Sequence, residues 1–188
     1  MGPDAPEIKV VAGDLTRIEA DALIVNLFEG VTQPGGATGA VDRALDGLIS
    51  QLVSSGEIKG KLGELSLIHT SGKIASKRVL VAGLGKQQDF SVDKIRRVSG
   101  EACRLLRGKA AKTVATIVHG GGSGGLDASQ AAQAITEGAI LGLYTFRRHI
   151  TKESNTGRIE VLLVVERDEN KLPDLEKGCN AVRMIADS

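Results

Sequence analysis

The chain has 188 residues, 24 Lys and Arg against 23 Asp and Glu, and a formal net charge of +1, with one Tyr, three Phe and no Trp. A near-neutral chain lacks the broad basic field that drives nucleic-acid binding, and so few aromatic rings provide little surface for base stacking. The balanced charge and the 41% of hydrophobic residues exclude wholesale disorder, and no window approaches the roughly 18 apolar residues of a membrane helix.

The length predicts a single domain over residues 1–188. The first six residues, Met1–Pro6, contain neither a basic nor an apolar segment, so we expect no signal peptide. Cys103 and Cys179 are too few for a disulfide framework, and we expect two reduced, partly buried thiols. These features favour a cytoplasmic protein.

Strands and helices alternate along the predicted chain. The continuous apolar runs Val79–Ala82 and Val161–Val165 indicate central strands that are covered on both faces. In chain order the predicted elements are the strands Ile8–Ala12 and Ala22–Phe28, the helix Gly39–Ser54, the strands Leu65–Thr70 and Arg78–Leu84, the helix Val92–Arg107, the strand Thr113–His119, the helix Ala128–Arg148, the strand Arg158–Val165 and the helix Pro173–Asp187. Alternation of this kind predicts an α/β layered domain.

Residues that could bind a metal or act as a nucleophile are sparse. His69, His119 and His149 have no His, Cys or carboxylate partner at ligand spacing, so we expect surface or helix-cap histidines and no zinc site in this chain. Ser123 is not part of a G-x-S-x-G elbow. It lies in the run Gly120–Gly125, which follows a strand and precedes a helix and could either cradle a phosphate or serve as a mobile connection.

The segment from Gly13 to Asp46 carries the most specific pattern. Asp14 and Asn26 stand at the ends of two predicted strands, and Gly35 and Gly36 open a helix. A carboxylate could accept hydrogen bonds from an amine or a ribose hydroxyl, and backbone N–H groups at a helix start could meet a diphosphate. These four residues predict a pocket for a nucleotide-like ligand.

This segment resembles the macrodomain, a module that binds ADP-ribose. The matching runs are Gly13–Thr16, Asp21–Asn26 and Gly35–Val41. Macrodomains usually carry a second Asn where this chain has Glu29, and a carboxylate there would repel a diphosphate if it faced the pocket. They also usually carry Val and Asp at the positions of Ala37 and Thr38.

A second resemblance extends over nearly the whole chain. The chain is similar to the N-terminal domain of the leucyl aminopeptidases, also called cytosol aminopeptidases. The blocks that carry this resemblance are Gly56–Glu64, Val81–Lys86 with Ser99–Ala102 after it, Glu137–Phe146, and the closing strand and helix that end in Ala181–Asp187.

The second resemblance implies a fold for this chain and places catalysis in a different domain. It implies a macrodomain-like, three-layer αβα fold with a mixed central sheet. In the family, a C-terminal catalytic domain binds two divalent ions, zinc or manganese, that activate water for attack on the N-terminal peptide bond. The Asn-Thr-Asp-Ala-Glu-Gly-Arg motif of that domain does not occur here, and we expect the chain to stop near the linker that leads to it. No catalytic residue and no cofactor site can then be assigned to this chain.

Three functions remain open from the sequence. The first is a non-catalytic domain that packs on its own catalytic domain and supports a homo-oligomer, usually a hexamer in the family. The second is an ADP-ribose-binding macrodomain with Asp14, Asn26, Gly35 and Gly36 as its pocket. The third is an interaction module such as a nucleic-acid-binding arm, since some family members bind DNA. Its basic residues would be Arg147, Arg148 and Lys152, or Arg96, Arg97 and Arg104.

Overall fold

A mixed sheet forms the middle of the structure. The computed structural model describes residues 5–119, 125–144 and 157–186, and within them six strands form one sheet. The strands are β1 (Glu7–Ala12), β2 (Ala22–Phe28), β3 (Leu65–His69), β4 (Arg78–Gly85), β5 (Thr113–Thr116) and β6 (Val161–Glu166). Every predicted strand therefore has a counterpart in the fold.

The strand order is β1-β6-β5-β2-β4-β3. All neighbouring strands are parallel except β3 and β4, which are antiparallel. The short segment 70–77 joins β3 to β4, and only antiparallel neighbours can be connected so briefly. The parallel pairs need longer crossovers, and helices supply most of them.

The two faces of the sheet are both apolar and both covered. Ile24 and Leu80 belong to a core on one face, whereas their chain neighbours Val25 and Val81 belong to a core on the other. Because successive strand residues point to opposite faces, a strand that is covered on both sides has to be apolar at every position. This explains the continuous apolar runs of β4 and β6.

Helices form the outer two layers. The helices are α1 (Gly36–Ala44), α2 (Leu48–Ser54), α3 (Val92–Gly108), α4 (Ala128–Tyr144) and α5 (Leu172–Ala186). Buried residues of α3, α4 and α5 share one core, and those of α1 and α2 share the other. The prediction of a three-layer αβα fold with a mixed sheet is confirmed.

Most of the predicted helix boundaries agree with the structure. The Ser91 hydroxyl caps α3 by accepting a hydrogen bond from the Lys94 backbone N–H, and the helix ends at Gly108, one residue beyond the predicted Arg107. The predicted ends of the last two helices, Arg148 and Asp187, lie outside the described residues.

The prediction of one helix over Gly39–Ser54 is wrong. The chain forms α1 and α2 instead, and between them Asp46 and Gly47 have positive φ angles of 57° and 79°. The buried Asp42 side chain stabilises this break by accepting a hydrogen bond from the Ser50 backbone N–H at 3.0 Å, and a second from the Ser50 hydroxyl. The apolar stripe continues across the break, so it gave no sign of it.

Two strand boundaries also differ from the prediction. β5 ends at Thr116 rather than at His119, and β6 begins at Val161 rather than at Arg158. The apolar pattern continues past β5, where the Ile117 N–H still donates to the Ile24 carbonyl oxygen of β2 at 3.2 Å and Ile117 and Val118 line a cavity.

Helices α3 and α4 approach each other at three glycines, Gly100, Gly138 and Gly142. A Cβ atom built on Gly138 would lie 2.1 Å from the carbonyl oxygen of Arg96, and one built on Gly142 would lie 2.6 Å from the Cα of Gly100. Only residues without a side chain permit this approach, so the backbones of the two helices are in direct contact.

Candidate functional site

A cavity of about 670 Å³ opens at the carboxyl ends of four adjacent strands, β1, β6, β5 and β2. The residues that follow these strands form one wall, and the start of α1 forms another. Open α/β sheets usually bind ligands outside the carboxyl ends of their strands, and this volume lies in the range of small-molecule sites.

All four residues of the predicted pocket line this cavity. Asp14 follows β1, Asn26 belongs to β2, and Gly35 and Gly36 lie at the start of α1. Glu29, in contrast, is exposed and is not among the lining residues. The repulsion expected of a carboxylate in the pocket at that position therefore does not arise.

Asp14 is held rigidly at the cavity edge. Its Oδ1 accepts hydrogen bonds from the Thr16 backbone N–H at 2.9 Å and from the Thr16 hydroxyl at 2.7 Å. These bonds cap the short 3₁₀ turn Leu15–Arg17. They also lower the pKa of the Asp14 carboxyl below its ordinary 3.8, and the bond from the Thr16 hydroxyl has the larger effect. Asp14 is therefore ionised at neutral pH and can only accept hydrogen bonds.

The start of α1 presents hydrogen-bond donors. The N-cap residue Gly35 has no side chain that could cap this helix, and the first backbone bond within it runs from the Gly39 N–H to the Gly35 oxygen at 2.9 Å. The Thr38 hydroxyl donates to the Asn26 carbonyl oxygen at 2.9 Å and fixes the helix start against β2. The N–H groups of a first helical turn have no partner within the helix, so this wall suits an anion.

Sequence reasoning missed the charged side chains around the cavity. Arg43, Arg167 and Lys171 line it together with the acidic Asp14 and Glu166. Arg167 and Glu166 could have been found, because they directly follow the last predicted strand. Arg43 could not, because only the helical turn of α1 brings it back toward the helix start.

His119 is buried, so its prediction as a surface or cap histidine is wrong. Its side chain is 0% exposed, its Nδ1 lies 3.0 Å from Asn26 Nδ2, and its Nε2 lies 3.4 Å from Thr116 Oγ1. Burial lowers the pKa of His119 to about 4, so the ring is neutral at pH 7. His69, at the end of β3, is exposed as expected, and His149 lies outside the described residues.

Both cysteines are free and fully buried, which is deeper than the partial burial expected for them. Cys103 is 1% and Cys179 0% exposed. Burial raises the pKa of the Cys103 thiol to about 12, and burial likewise raises the pKa of Cys179. Neither thiol is available as a nucleophile in the folded chain.

The donor set for a metal site is missing from the described part of the chain. Across residues 5–119, 125–144 and 157–186, no three His, Cys, Asp or Glu side chains come together in a way that could hold an ion. The two divalent ions that the aminopeptidase resemblance implies therefore do not fit the residues described. The same residues contain no helix that is long and apolar enough to cross a membrane.

Two of the basic residues of α3, Arg96 and Arg97, are paired with carboxylates. Arg96 Nε lies 2.7 Å from Glu137 Oε2, and Arg97 Nε lies 3.0 Å from Glu101 Oε1. Such pairs weaken the positive field that a nucleic-acid surface would need. The other basic group, Arg147, Arg148 and Lys152, lies outside the described residues, as do Ser123 and its glycine neighbours 120–122 and 124.

Large apolar side chains are exposed near the carboxyl ends of α4 and α5. Leu141 and Tyr144 of α4 are 58% and 74% exposed, and Met184 and Ile185 of α5 are 75% and 70% exposed. Helix α4 follows β5 and α5 follows the parallel strand β6, so the two helices run in the same direction and their carboxyl ends lie at the same end of the layer. The four side chains therefore mark one end of the molecule, which we call the apolar end.

Comparison with known proteins identifies relatives of this chain. A family model described as "Cytosol aminopeptidase family, N-terminal domain" matches residues 24–153. The probable cytosol aminopeptidase of Alkaliphilus oremlandii is 33% identical over 173 residues, which is 92% of this chain and 34% of that protein. The chain therefore spans about a third of the length of this curated relative.

Solved structures confirm the fold. A variant of tomato leucine aminopeptidase superposes with a TM-score of 0.70 at 20% identity, covering 97% of this chain and 38% of that one. A variant of the Oceanobacillus iheyensis macrodomain, solved with ADPR, superposes with a TM-score of 0.73 at 14% identity, covering 93% and 92% of the two chains. At these identities the likeness shows a macrodomain-like fold and nothing finer.

The family follows from the sequence matches. The family model covers more than half of the chain, and the curated relative matches along almost all of it. The chain belongs to the cytosol aminopeptidase family and corresponds to its N-terminal domain.

Proposed function

We propose that this chain is the non-catalytic N-terminal domain of a metal-dependent leucyl aminopeptidase, which removes N-terminal amino acids from peptides in the cytoplasm. The observation that carries the proposal is the family match over nearly the whole chain combined with a match to only a third of the relative. The remaining two thirds of such an enzyme would supply the catalytic domain.

The donor groups of the chain support a division of labour between two domains. No metal-binding cluster is found within the described residues, so two zinc or manganese ions would be held by the catalytic domain. Peptide substrates would then meet only that domain. The chain alone would be inactive.

The apolar end supports a role in packing. Leu141, Tyr144, Met184 and Ile185 expose large apolar side chains at one end of the helical layer. Large apolar side chains exposed at one end of a layer are candidates for a protein interaction site. We assign this end to contact with the catalytic domain, and through it to assembly of a homo-oligomer such as the family's hexamer.

Two measurements test this proposal. Sequencing of the gene beyond the codon for Ser188 should show an in-frame domain with metal-ligand residues. The chain alone should release no p-nitroaniline from leucine p-nitroanilide in the presence of Zn²⁺ or Mn²⁺. Turnover by the isolated chain, or a gene without such a domain, contradicts the proposal.

A pair of variants tests the packing role. In the protein that contains both domains, replacing Tyr144 and Met184 by Ser should lower the oligomer's dissociation midpoint in a urea titration followed by light scattering. Gln51→Ser, on the exposed side of α2, serves as the matched control and should leave the midpoint unchanged. Equal behaviour of both variants would show that the apolar end is not an interface.

We also propose a second candidate function, binding of ADP-ribose in the cavity. Its specific support is that Asp14, Asn26, Gly35 and Gly36 line one cavity, while Glu29 stays outside it. The macrodomain of O. iheyensis has the same fold and was solved with ADPR. Titration calorimetry with ADP-ribose tests this function, and absence of heat at millimolar ligand refutes it. Gly36→Val, which fills the helix start at a φ of 54°, should abolish the heat.

A further inference from the structure

The hydrogen bonds around His119 determine where its proton resides. The Thr116 hydroxyl donates to the Ile117 carbonyl oxygen at 2.9 Å, so toward His119 Nε2, at 3.4 Å, it can only accept. Nε2 must then carry a hydrogen to make a favourable contact. A neutral ring carries one hydrogen, which leaves Nδ1 as an acceptor.

The same reasoning fixes the side-chain amide of Asn26. An acceptor at His119 Nδ1 needs a donor opposite, and Asn26 Nδ2 lies there at 3.0 Å. The reversed amide would bring two acceptors together inside the protein, which is costly for buried polar groups. His119 is not among the cavity-lining residues, whereas Asn26 is. One of the two Nδ2 hydrogens is committed to the buried ring, and Oδ1 is the acceptor that the amide retains for the cavity.

We propose that His119 is a positioning residue that holds the Asn26 amide with Oδ1 toward the cavity, and that the cavity thereby selects ligands bearing hydroxyl or amine donors. The proposal rests on the second candidate function and names the chemistry of its site. Asp14, which follows β1 and is separated from β2 by β6 and β5 in the sheet, adds a second acceptor to the same cavity.

The opposite wall has the opposite chemistry. The first turn of α1 presents backbone N–H groups, and Arg43 Nη1 lies near the same turn, 3.4 Å from where a Cβ of Gly39 would be. The preferred ligand therefore has hydroxyl or amine groups at one end and an anionic group at the other. An anion without hydroxyl groups would meet only the α1 wall.

The first test needs no ligand. Nitrogen chemical shifts from long-range ¹H–¹⁵N NMR spectra of the unliganded chain at pH 7 should show His119 with its hydrogen on Nε2. Exposed His69 is the internal control, and it should show averaged tautomers. A hydrogen on Nδ1 of His119, or a doubly protonated ring, would overturn the positioning role.

The second test uses two probes and two variants in titration calorimetry. ADP-ribose brings hydroxyl groups and a diphosphate, and inorganic pyrophosphate brings the anion alone. His119→Leu removes the acceptor that holds Asn26. It should therefore weaken the binding of ADP-ribose by about tenfold, the value of one lost hydrogen bond, and leave the affinity for pyrophosphate unchanged. His119→Gln keeps a donor and an acceptor and should bind ADP-ribose like the unchanged chain.

The outcomes distinguish the positioning role of His119 from the second candidate function, binding of ADP-ribose. If ADP-ribose fails to bind the unchanged chain, both the second candidate function and the ligand class are refuted, while the tautomer measurement still decides the positioning role. If ADP-ribose binds but His119→Leu weakens both probes equally or neither, the function stands and the positioning role is overturned.

Discussion

Replacing Gly138 by Ala tests the direct backbone contact between α3 and α4. The new Cβ would lie 2.1 Å from the Arg96 carbonyl oxygen and 2.9 Å from its carbonyl carbon. Ordinary carbon–oxygen contacts are about 3.3 Å, so the two helices would have to separate by about 1.2 Å. The obstacle is backbone rather than the end of a flexible side chain, so the strain cannot be relieved by a change of rotamer.

The expected cost follows from two opposing effects. Overpacking of a close-packed core costs about 1–3 kcal/mol or more, and the rigid obstacle favours the upper part of this range. Alanine regains about 1 kcal/mol over glycine through its higher helix propensity. We therefore expect Gly138→Ala to lose about 2 kcal/mol of unfolding free energy, a shift of about 1 M in the urea midpoint for a slope of roughly 2 kcal/mol per M.

Urea unfolding followed by circular dichroism measures this shift. Gly108→Ala, in the last turn of α3, is the matched control, because a Cβ there has no atom of the described residues within 4 Å. The control should keep or slightly raise the midpoint. A Gly138→Ala midpoint at or above that of the unchanged chain would refute the conclusion that the helix backbones touch at this point.

Three further predictions concern buried polar groups. Asp42→Ala should lower the free energy of unfolding by about 1–2 kcal/mol, because it leaves the N–H of Ser50 without its partner at the start of α2. Thermal unfolding measures this loss, and an unchanged stability of the variant would contradict the role of this bond. Cys103 and Cys179 should react with Ellman's reagent only as the chain unfolds, since both are buried with raised thiol pKa values; rapid labelling at pH 8 would show that the core opens. His119 should lower the free energy of unfolding as the pH falls, because its folded pKa of about 4 is below the ordinary 6.5. The unfolding free energy keeps its full value above pH 6.5, and about 3 kcal/mol of it is lost by the time the pH reaches 4. His119→Gln should flatten this part of the stability profile, and an unchanged slope would assign it to other groups.

Local pattern was enough to predict the strands and most of the helices. Val79–Ala82 and Val161–Val165 are apolar at every position because the two helical layers cover both faces of the sheet. This need for apolar side chains on both faces is visible in consecutive residues of the sequence. The division of the first predicted helix was not predictable in this way. The stripe through Leu45 and Leu48 stays in phase with the core while the backbone turns at Asp46 and Gly47.

The candidate site divides along similar lines. Asp14, Asn26, Gly35 and Gly36 could be grouped because parallel strands and a following helix bring their ends to one edge of the sheet. His119 was misjudged for a reason that lies in tertiary structure. Its burial depends on β5 ending at Thr116 and on a hydrogen bond to Asn26, which is 93 positions away in the sequence.

The position of β1 at the sheet edge has a consequence for biosynthesis. Among the described residues β1 pairs only with β6, and Ile8 finds its partner Leu162 about 150 residues later in the chain. At a ribosomal rate of roughly 5–20 residues per second, β1 waits on the order of ten to thirty seconds for its neighbour. Such long-range pairing belongs to slow-folding topologies, and the unpaired strand leaves its apolar face open to other chains meanwhile. A nascent chain halted before β6 would therefore keep β1 without its partner strand.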